Sequence, residues 1–498
     1  MPDAPTVEDR DAVELLRRAF DRAGYTSTEL EQRLDLEGPF SLDWSALPVY
    51  MRALEDGSPF AAVTKLFLLG AAVPRPEIEA ALAPLTTERL AGLGVAEAEG
   101  ETVLASVAIL PWSGFLLASD ALEKELPPTR VDHVLNVVPP SVTLASLTPR
   151  RHVASTLDIG VGCGVQSLLA ARHSDRVVGV DVNPRAIRFA EFNLALNRVG
   201  NVELRLGDGF QAVVGEVFDL IVSNPPYVIS PETGYAFRDS GREGDAFCEE
   251  LVRQAPEFLV EGGIAELLVS WVHAPDADWT APLRGWVAAS GCDTLALHFL
   301  TQEPLAYAAL WNRHLRWDPL GYDRAIDRWL EHLRGLRIEA ISWGAIVLRR
   351  RAGQNWFAPY PTSMATIDEA GHHVERMIAA QDLLAEAGEG DGFLAARLRP
   401  ADDHRLDQTV FLQDRGGTVR RAVLRLDGGF NFEVDLSRDA FQLVSQLDGR
   451  PLGEVLAELE HRLEGVTHEE LVGQAIPTVK GLFELGFLVK ANGEAPRA

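Results

Sequence analysis

TLDIGVGCGVQS, residues 156–167, decides how the rest of this chain is read. An apolar strand, TLDI, runs into glycines at 160, 162 and 164, and helical sequence follows. Glycine accepts left-handed backbone and lets the main chain approach a ligand that a Cβ would block. The dinucleotide fingerprint G-x-G-x-x-G wants Gly or Ala where this chain has Val165, and Gly164 arrives one residue early. Asp158, inside the same turn, is a poor neighbour for a pyrophosphate and suits a cationic ligand better. Alone, such a turn is as consistent with tight strand–helix packing as with a binding site.

The sequence on either side gives the turn its context. RVVGVDVN, VELRLG and FDLIVSN are short apolar runs separated by helical stretches such as PRAIRFAEFNLALNRVG, and GGIAELLVSWV, GCDTLALHFL and AISWGAIVLRRR extend the pattern. About seven strands between 155 and 351, alternating with helices, mean βαβ units and a doubly wound, Rossmann-like α/β sheet. Ligands of open parallel sheets bind outside the strands' carboxyl ends. Asp181 ends the second strand, where an acid can take both hydroxyls of a ribose. Asp208, in RLGDGF, ends the third and offers a carboxylate to an adenine amino group.

The fourth strand ends in VSNPPYVISP, residues 222–231. A residue before proline is pushed into extended backbone, so two consecutive prolines fix both Asn224 and Pro225. The side chain of Asn224 is therefore aimed. Together LDIGVGCG, VVGVDVN, GDGF and SNPPY resemble the class I S-adenosylmethionine-dependent methyltransferases, in the branch with the Asn-Pro-Pro-Tyr motif. The resemblance covers about 131–352. It implies S-adenosylmethionine as cofactor, no metal, and a planar NH2 as methyl acceptor. It places Gly160, Gly162 and Gly164 at the methionine end of the cofactor, Asp181 at the ribose and Asp208 at the adenine. Asp158, Val182, Gly209 and Asn224 complete the expected cofactor-contacting set.

The chemistry explains the motif. The lone pair of an amide or aryl NH2 is delocalised, so it must be oriented before it can attack a methyl group. The Asn224 side-chain carbonyl and the Pro225 backbone carbonyl are two acceptors for the two N–H groups. Pro225 and Pro226 keep those acceptors rigid, and Tyr227 is expected to give the planar group a face to lie on.

Outside this core the chain has two flanks. Residues 1–130 read as short helices followed by a pair of strands in AEAEGETVLASVAILP, a winged-helix-like α+β module. AGQNWFAPYPTSM (352–364) reads as a linker, and 361–498 as a second winged-helix-like module of helix, hairpins, two amphipathic helices and a closing strand. Such modules bind a substrate or partner or pack as structure, and the sequence leaves these open. Three scattered cysteines fit a reducing compartment. The N-terminus lacks the pattern of a secretion signal, and no apolar run is long enough for a membrane span, so a cytoplasmic protein with no membrane partner is expected.

Acidic residues outnumber basic ones 73 to 46, for a net charge of −27. That argues against broad contact with phosphate backbones. GYAFRDSGREGDAFCEELVRQAPEFLVEGG (234–263) resembles the segment after the motif in release-factor glutamine methyltransferases, which favours a glutamine or other amide of a protein or peptide. The alternative acceptor is adenine N6 or guanine N2 of ribosomal RNA, transfer RNA or DNA. Departures from that family at 1–130 and 361–498 point to a target other than its housekeeping one. Eight of the ten tryptophans fall between 271 and 356 and read as core and interface. His372 and His373 are adjacent on a helix and cannot share a face for a metal. Cys163 reads as a small residue in a tight place, and the arginines of 397–425 as edge-strand charges.

Overall fold

The computed structural model describes residues 4–38, 42–121, 130–232, 234–235, 237–387, 391–413, 416–462 and 467–491. They form two compact units, one of 1–144 with 151–355 and one of 145–150 with 356–498.

In the first unit, seven strands between Val153 and Arg350 lie in one sheet. They are β1 (Val153–Ile159), β2 (Ser174–Asp181), β3 (Val202–Leu206), β4 (Phe218–Ser223), β5 (Leu259–His273), β6 (Cys292–Gln302) and β7 (Ala340–Arg350). Their spatial order is β3-β2-β1-β4-β5-β7-β6. The first five run parallel, and β7 is antiparallel to both β5 and β6. The central strands are near-continuous apolar runs because helices cover both faces. Helix α1 (Val165–Ala170) follows the glycine turn and α2 (Pro184–Leu196) follows β2. The order reverses at β1, which pairs with β2 on one side and β4 on the other. That reversal opens the crevice in which doubly wound sheets hold their ligands.

Register makes the placement specific. Ile159 is opposite Ser223, so Gly160 and Asn224 leave the sheet side by side. Asp181 is opposite Leu206, which brings the ends of β2 and β3 together, and the Gly207 N–H donates to the Asp181 carbonyl at 2.9 Å.

Residues 4–38 and 42–121 pack within the same unit as the sheet. Helix Arg10–Ala23 buries Val13, Leu16 and Phe20, and is capped by the Asp9 carboxylate accepting from the Ala12 N–H and by Gly24 in left-handed conformation. The expected strand pair is Ala96–Glu99 with Thr102–Ala105, and a second hairpin, Ala108–Trp112 with Phe115–Ser119, follows it. Asn193 of α2 and Asn197, which caps its C-terminal end, bond this second hairpin through their side-chain amides as a further strand would. Asn193 accepts from the Ala118 N–H at 2.7 Å and donates to the Ala118 carbonyl at 2.8 Å, and Asn197 repeats the pattern on Leu116 at 2.9 and 2.8 Å.

The expected linker at 352–364 contains a strand, Phe357–Pro361, whose alternation of buried Ala358 and Tyr360 the two prolines obscured. Elsewhere in the second unit, helix Gly371–Ala387 precedes the antiparallel strands His404–Gln413, Gly416–Leu426 and Glu433–Asp435. The turn of the first hairpin, at 414–415, lies outside the described residues. Helices Arg438–Val444, Leu452–Glu460 and His468–Glu484 close on strand Leu488–Lys490, around a core containing Phe393, Leu456, Val479 and Phe487. Both flanks thus carry helices with antiparallel strands, short in the first and up to 11 residues long in the second. Three arginines of this hairpin are paired, Arg405 and Arg425 with Asp407 and Arg421 with Asp435.

His373 is fully buried, and it accepts at Nδ1 from the Phe430 N–H (3.2 Å), so its Nε2 donates to the Leu485 carbonyl (2.9 Å). It is a pin between chain segments, and no cluster of metal ligands occurs among the described residues.

Candidate active site

At the carboxyl ends of β1, β2, β3 and β4 lies a cavity of about 530 Å³. Its floor is the glycine turn. Gly160, Gly162 and Gly164 have φ of +78°, +53° and +88°, a left-handed run that L side chains rarely adopt. Gly160 and Gly162 line the cavity. Gly164 does not, contrary to expectation: it precedes α1, and a Cβ there would sit 3.2 Å from the Ala190 Cβ of α2. Its role is the close approach of two helices.

Asp181 holds the turn in shape. Its Oδ2 accepts from the Gly162 N–H at 2.9 Å and its Oδ1 from the Asn183 N–H at 2.8 Å. Burial raises its pKa, and these backbone donors act against that rise. Asp158 departs from expectation as well. It does not line the cavity. It is buried beneath the turn, where it accepts from the Ser167 hydroxyl at 2.7 Å, and burial pushes its pKa up to about 7. The acid in the motif therefore braces α1 against β1.

Asp208, Gly209 and Phe210 line the far wall, with Phe210 stacked on Phe258 at 4.4 Å. Val182, 58% exposed, lines the same region next to Asp181. An exposed apolar side chain in one cavity with two carboxylates, Asp181 and Asp208, suits a nucleoside.

On the opposite side stand Asn224, Pro225 and Pro226, all lining the cavity. Tyr227 is not among them. It packs into a cluster with Val228, Tyr307 and Trp329, its carbonyl accepts from the Ser270 hydroxyl at 2.6 Å, and burial raises the pKa of its phenol. The backbone that aims Asn224 into the cavity turns the motif's tyrosine into the core. The aromatic wall comes instead from Phe237, which stacks on Tyr235 at 5.5 Å and meets the His133 ring at 6.0 Å. Arg238 anchors their loop, since it is buried, bonds Glu232 and Asp239 at 2.7 Å each and lies over the Trp329 ring. Cys163 also lines the cavity but is buried, with its thiol pushed up to about 12, so it is no nucleophile.

The roof, 133–138, was not singled out from sequence. Its brace is Arg185 of α2, which is buried, donates to both oxygens of Asp120 at 2.6 and 2.7 Å and reaches the Asp132 carbonyl at 2.9 Å. Asp120 in turn accepts from the Val134 N–H at 2.8 Å. Ser141, on helix Pro139–Leu147, also lines the cavity. A Pro-Pro pair at 139–140 immediately before it, echoing 225–226, is the signal that could have found it.

Residues 139–274 match the family model described as Methyltransferase small domain. The match spans β1 to β5 and contains most of the cavity. The chain thus carries a methyltransferase domain of the class whose donor is S-adenosylmethionine. A second model, described as Domain of unknown function (DUF7059), matches residues 22–106.

Three curated relatives show the neighbourhood. A Methanocaldococcus jannaschii protein named for N5-glutamine methylation of protein is 36% identical over 122 residues, 23% of this chain and 60% of its own. The release factor glutamine methyltransferase of Geobacter sulfurreducens is 38% identical over 125 residues, covering 22% and 44%. The ribosomal protein uL3 glutamine methyltransferase of Xanthomonas campestris is 32% identical over 126 residues, covering 23% and 41%. The chain spans about half the length of these relatives.

Proposed function

We propose that this chain transfers a methyl group from S-adenosylmethionine to a planar NH2, the side-chain amide of a glutamine in a protein or peptide. One observation carries this reading. The register that sets Ile159 against Ser223 brings the glycine turn and Asn224-Pro225 to the rim of one cavity.

Gly160 and Gly162 would hold the amino-acid end of the cofactor, Asp181 and Val182 the ribose, and Asp208, Gly209 and Phe210 the adenine. When bound, S-adenosylmethionine supplies an electrophilic methyl group on a sulfonium. The remaining work is done by this chain's residues. Asn224 Oδ1 and the Pro225 carbonyl accept the two N–H bonds of the acceptor amide, and so point its nitrogen lone pair into the cavity. The same two oxygens stabilise positive charge as it develops on that nitrogen. No general base of high pKa is needed, because the acceptor nitrogen sheds a proton easily once methylated. Phe237 and His133 form a wall against which a flat amide can lie.

A glutamine is favoured because the relatives named above are glutamine methyltransferases of proteins, and because the cavity mouth carries Asp239 and Glu250, with Arg242 paired to Glu250 at 3.5 Å. A mouth with little spare positive charge is ill suited to a phosphate backbone. The test is mass spectrometry of tryptic peptides after incubation of lysate protein with the chain and isotopically labelled S-adenosylmethionine. A single labelled methyl on glutamine is expected. Methylation confined to arginine, lysine or a carboxylate would refute the planar-amide acceptor.

A further inference from the structure

The Asn224 side chain can orient an acceptor only if its own amide is held one way round. An asparagine turned over would offer its NH2 to the acceptor N–H groups, and two donors repel. What sets the orientation is visible in the structure. Asn224 Nδ2 lies 3.4 Å from the Ser141 Oγ, with the amide donating and the hydroxyl accepting. Hydrogen bonds at reacting centres are often long before substrate binds.

Ser141 is itself fixed. It is buried, and its carbonyl accepts from the Gln166 side-chain amide at 2.8 Å. Gln166 is buried on α1, the helix that the glycine turn opens into. One line of contacts thus runs from the helix behind the glycine turn, through Gln166 and Ser141, to the Asn224 amide. Ser141, Gln166 and Asn224 all line the cavity.

We infer that Ser141 is a positioning residue for transfer: its hydroxyl accepts from Asn224 Nδ2 and so commits Asn224 Oδ1 to the methyl acceptor. Gln166 holds Ser141 in place from behind. This rests on the planar-NH2 reading above. It adds that the acceptor carbonyl of the Asn-Pro-Pro-Tyr motif is oriented from outside the motif, by a residue 83 positions earlier in the chain.

The test uses the full chain, labelled with 15N in asparagine side chains, in wild type, Ser141→Ala, Ser141→Thr and Asn224→Ala. The resonances missing from Asn224→Ala identify the Asn224 amide. Ser141→Ala should move those resonances, lower the rate of methyl transfer into lysate protein by about ten- to a hundredfold, and leave calorimetric affinity for S-adenosylmethionine within about twofold. Ser141→Thr, which keeps the hydroxyl, should restore the resonances and most of the rate. Unmoved Asn224 resonances in Ser141→Ala would overturn the inference, as would an unchanged rate. A loss of cofactor affinity matching the loss of rate would overturn it too, by making Ser141 merely structural. If the wild type transfers no methyl to lysate protein, the proposed function falls, while the resonances and the affinity still decide the contact between Ser141 and Asn224.

Discussion

Asn224 and Asp181 divide the work of the site, and their variants separate its two halves. Asn224 meets the acceptor, so Asn224→Ala is expected to slow labelled methyl transfer by about a hundredfold or more. Its calorimetric affinity for S-adenosylmethionine should stay close to wild type, and strong residual turnover would remove the orienting role. Asp181 shapes the glycine turn through two backbone N–H groups. Asp181→Ala leaves both without their acceptor, a loss worth about 1–3 kcal/mol, and cofactor affinity should fall about tenfold or more. An unchanged affinity would undo that role. Both residues were legible in sequence because each stands at the end of an apolar strand. Asp158 and Tyr227 were misplaced because a motif gives the spacing of its residues and not the direction of their side chains. Asp158 sits within β1, where a side chain faces a covering helix, and Tyr227 follows a backbone that has already turned toward the core.

The glycine turn and its roof illustrate what elements contribute. The turn was readable from three glycines after a strand, and the parallel sheet from alternating apolar and helical runs. The roof was not, because it depends on Arg185, Asp120 and Asp132, which are far apart in the chain and carry no local pattern. Arg185 is buried, and removing it takes from the Asp120 carboxylate the cation that bonds both its oxygens. Arg185→Met should therefore cost roughly 3 kcal/mol of stability in urea unfolding. Cofactor affinity should weaken with it, since Asp120 holds Val134 at the cavity wall. Unchanged stability and affinity would show that the roof is held by other contacts. Seven strands also conceal the antiparallel pairing of β7, which apolar runs alone cannot distinguish from parallel pairing.

At the scale of the whole molecule, the second unit has a pH dependence of its own. Burial lowers the His373 pKa to about 4 from an ordinary 6.5. The unfolded chain therefore binds a proton that the folded one refuses, so this contribution is complete above pH 6.5 and is lost as pH falls toward 4. The loss amounts to roughly 3 kcal/mol. Urea unfolding of wild type should weaken over that window, and His373→Gln should flatten this part of the slope; parallel slopes would remove the assignment. None of this was evident from two adjacent histidines on a helix, since burial is set by Phe430 and Leu485, which lie 57 and 112 positions further along the chain. No helix among the described residues is long and apolar enough to cross a membrane.

The central claim, that this chain methylates a protein amide, is tested most directly by transfer. Labelled S-adenosylmethionine is supplied with the purified chain to lysate of a strain lacking it, and the product is split between protease and RNase. Label released by protease, resistant to RNase and absent with Asn224→Ala is the expected result. Label released by RNase instead would contradict the protein substrate and make a nucleic-acid base the acceptor.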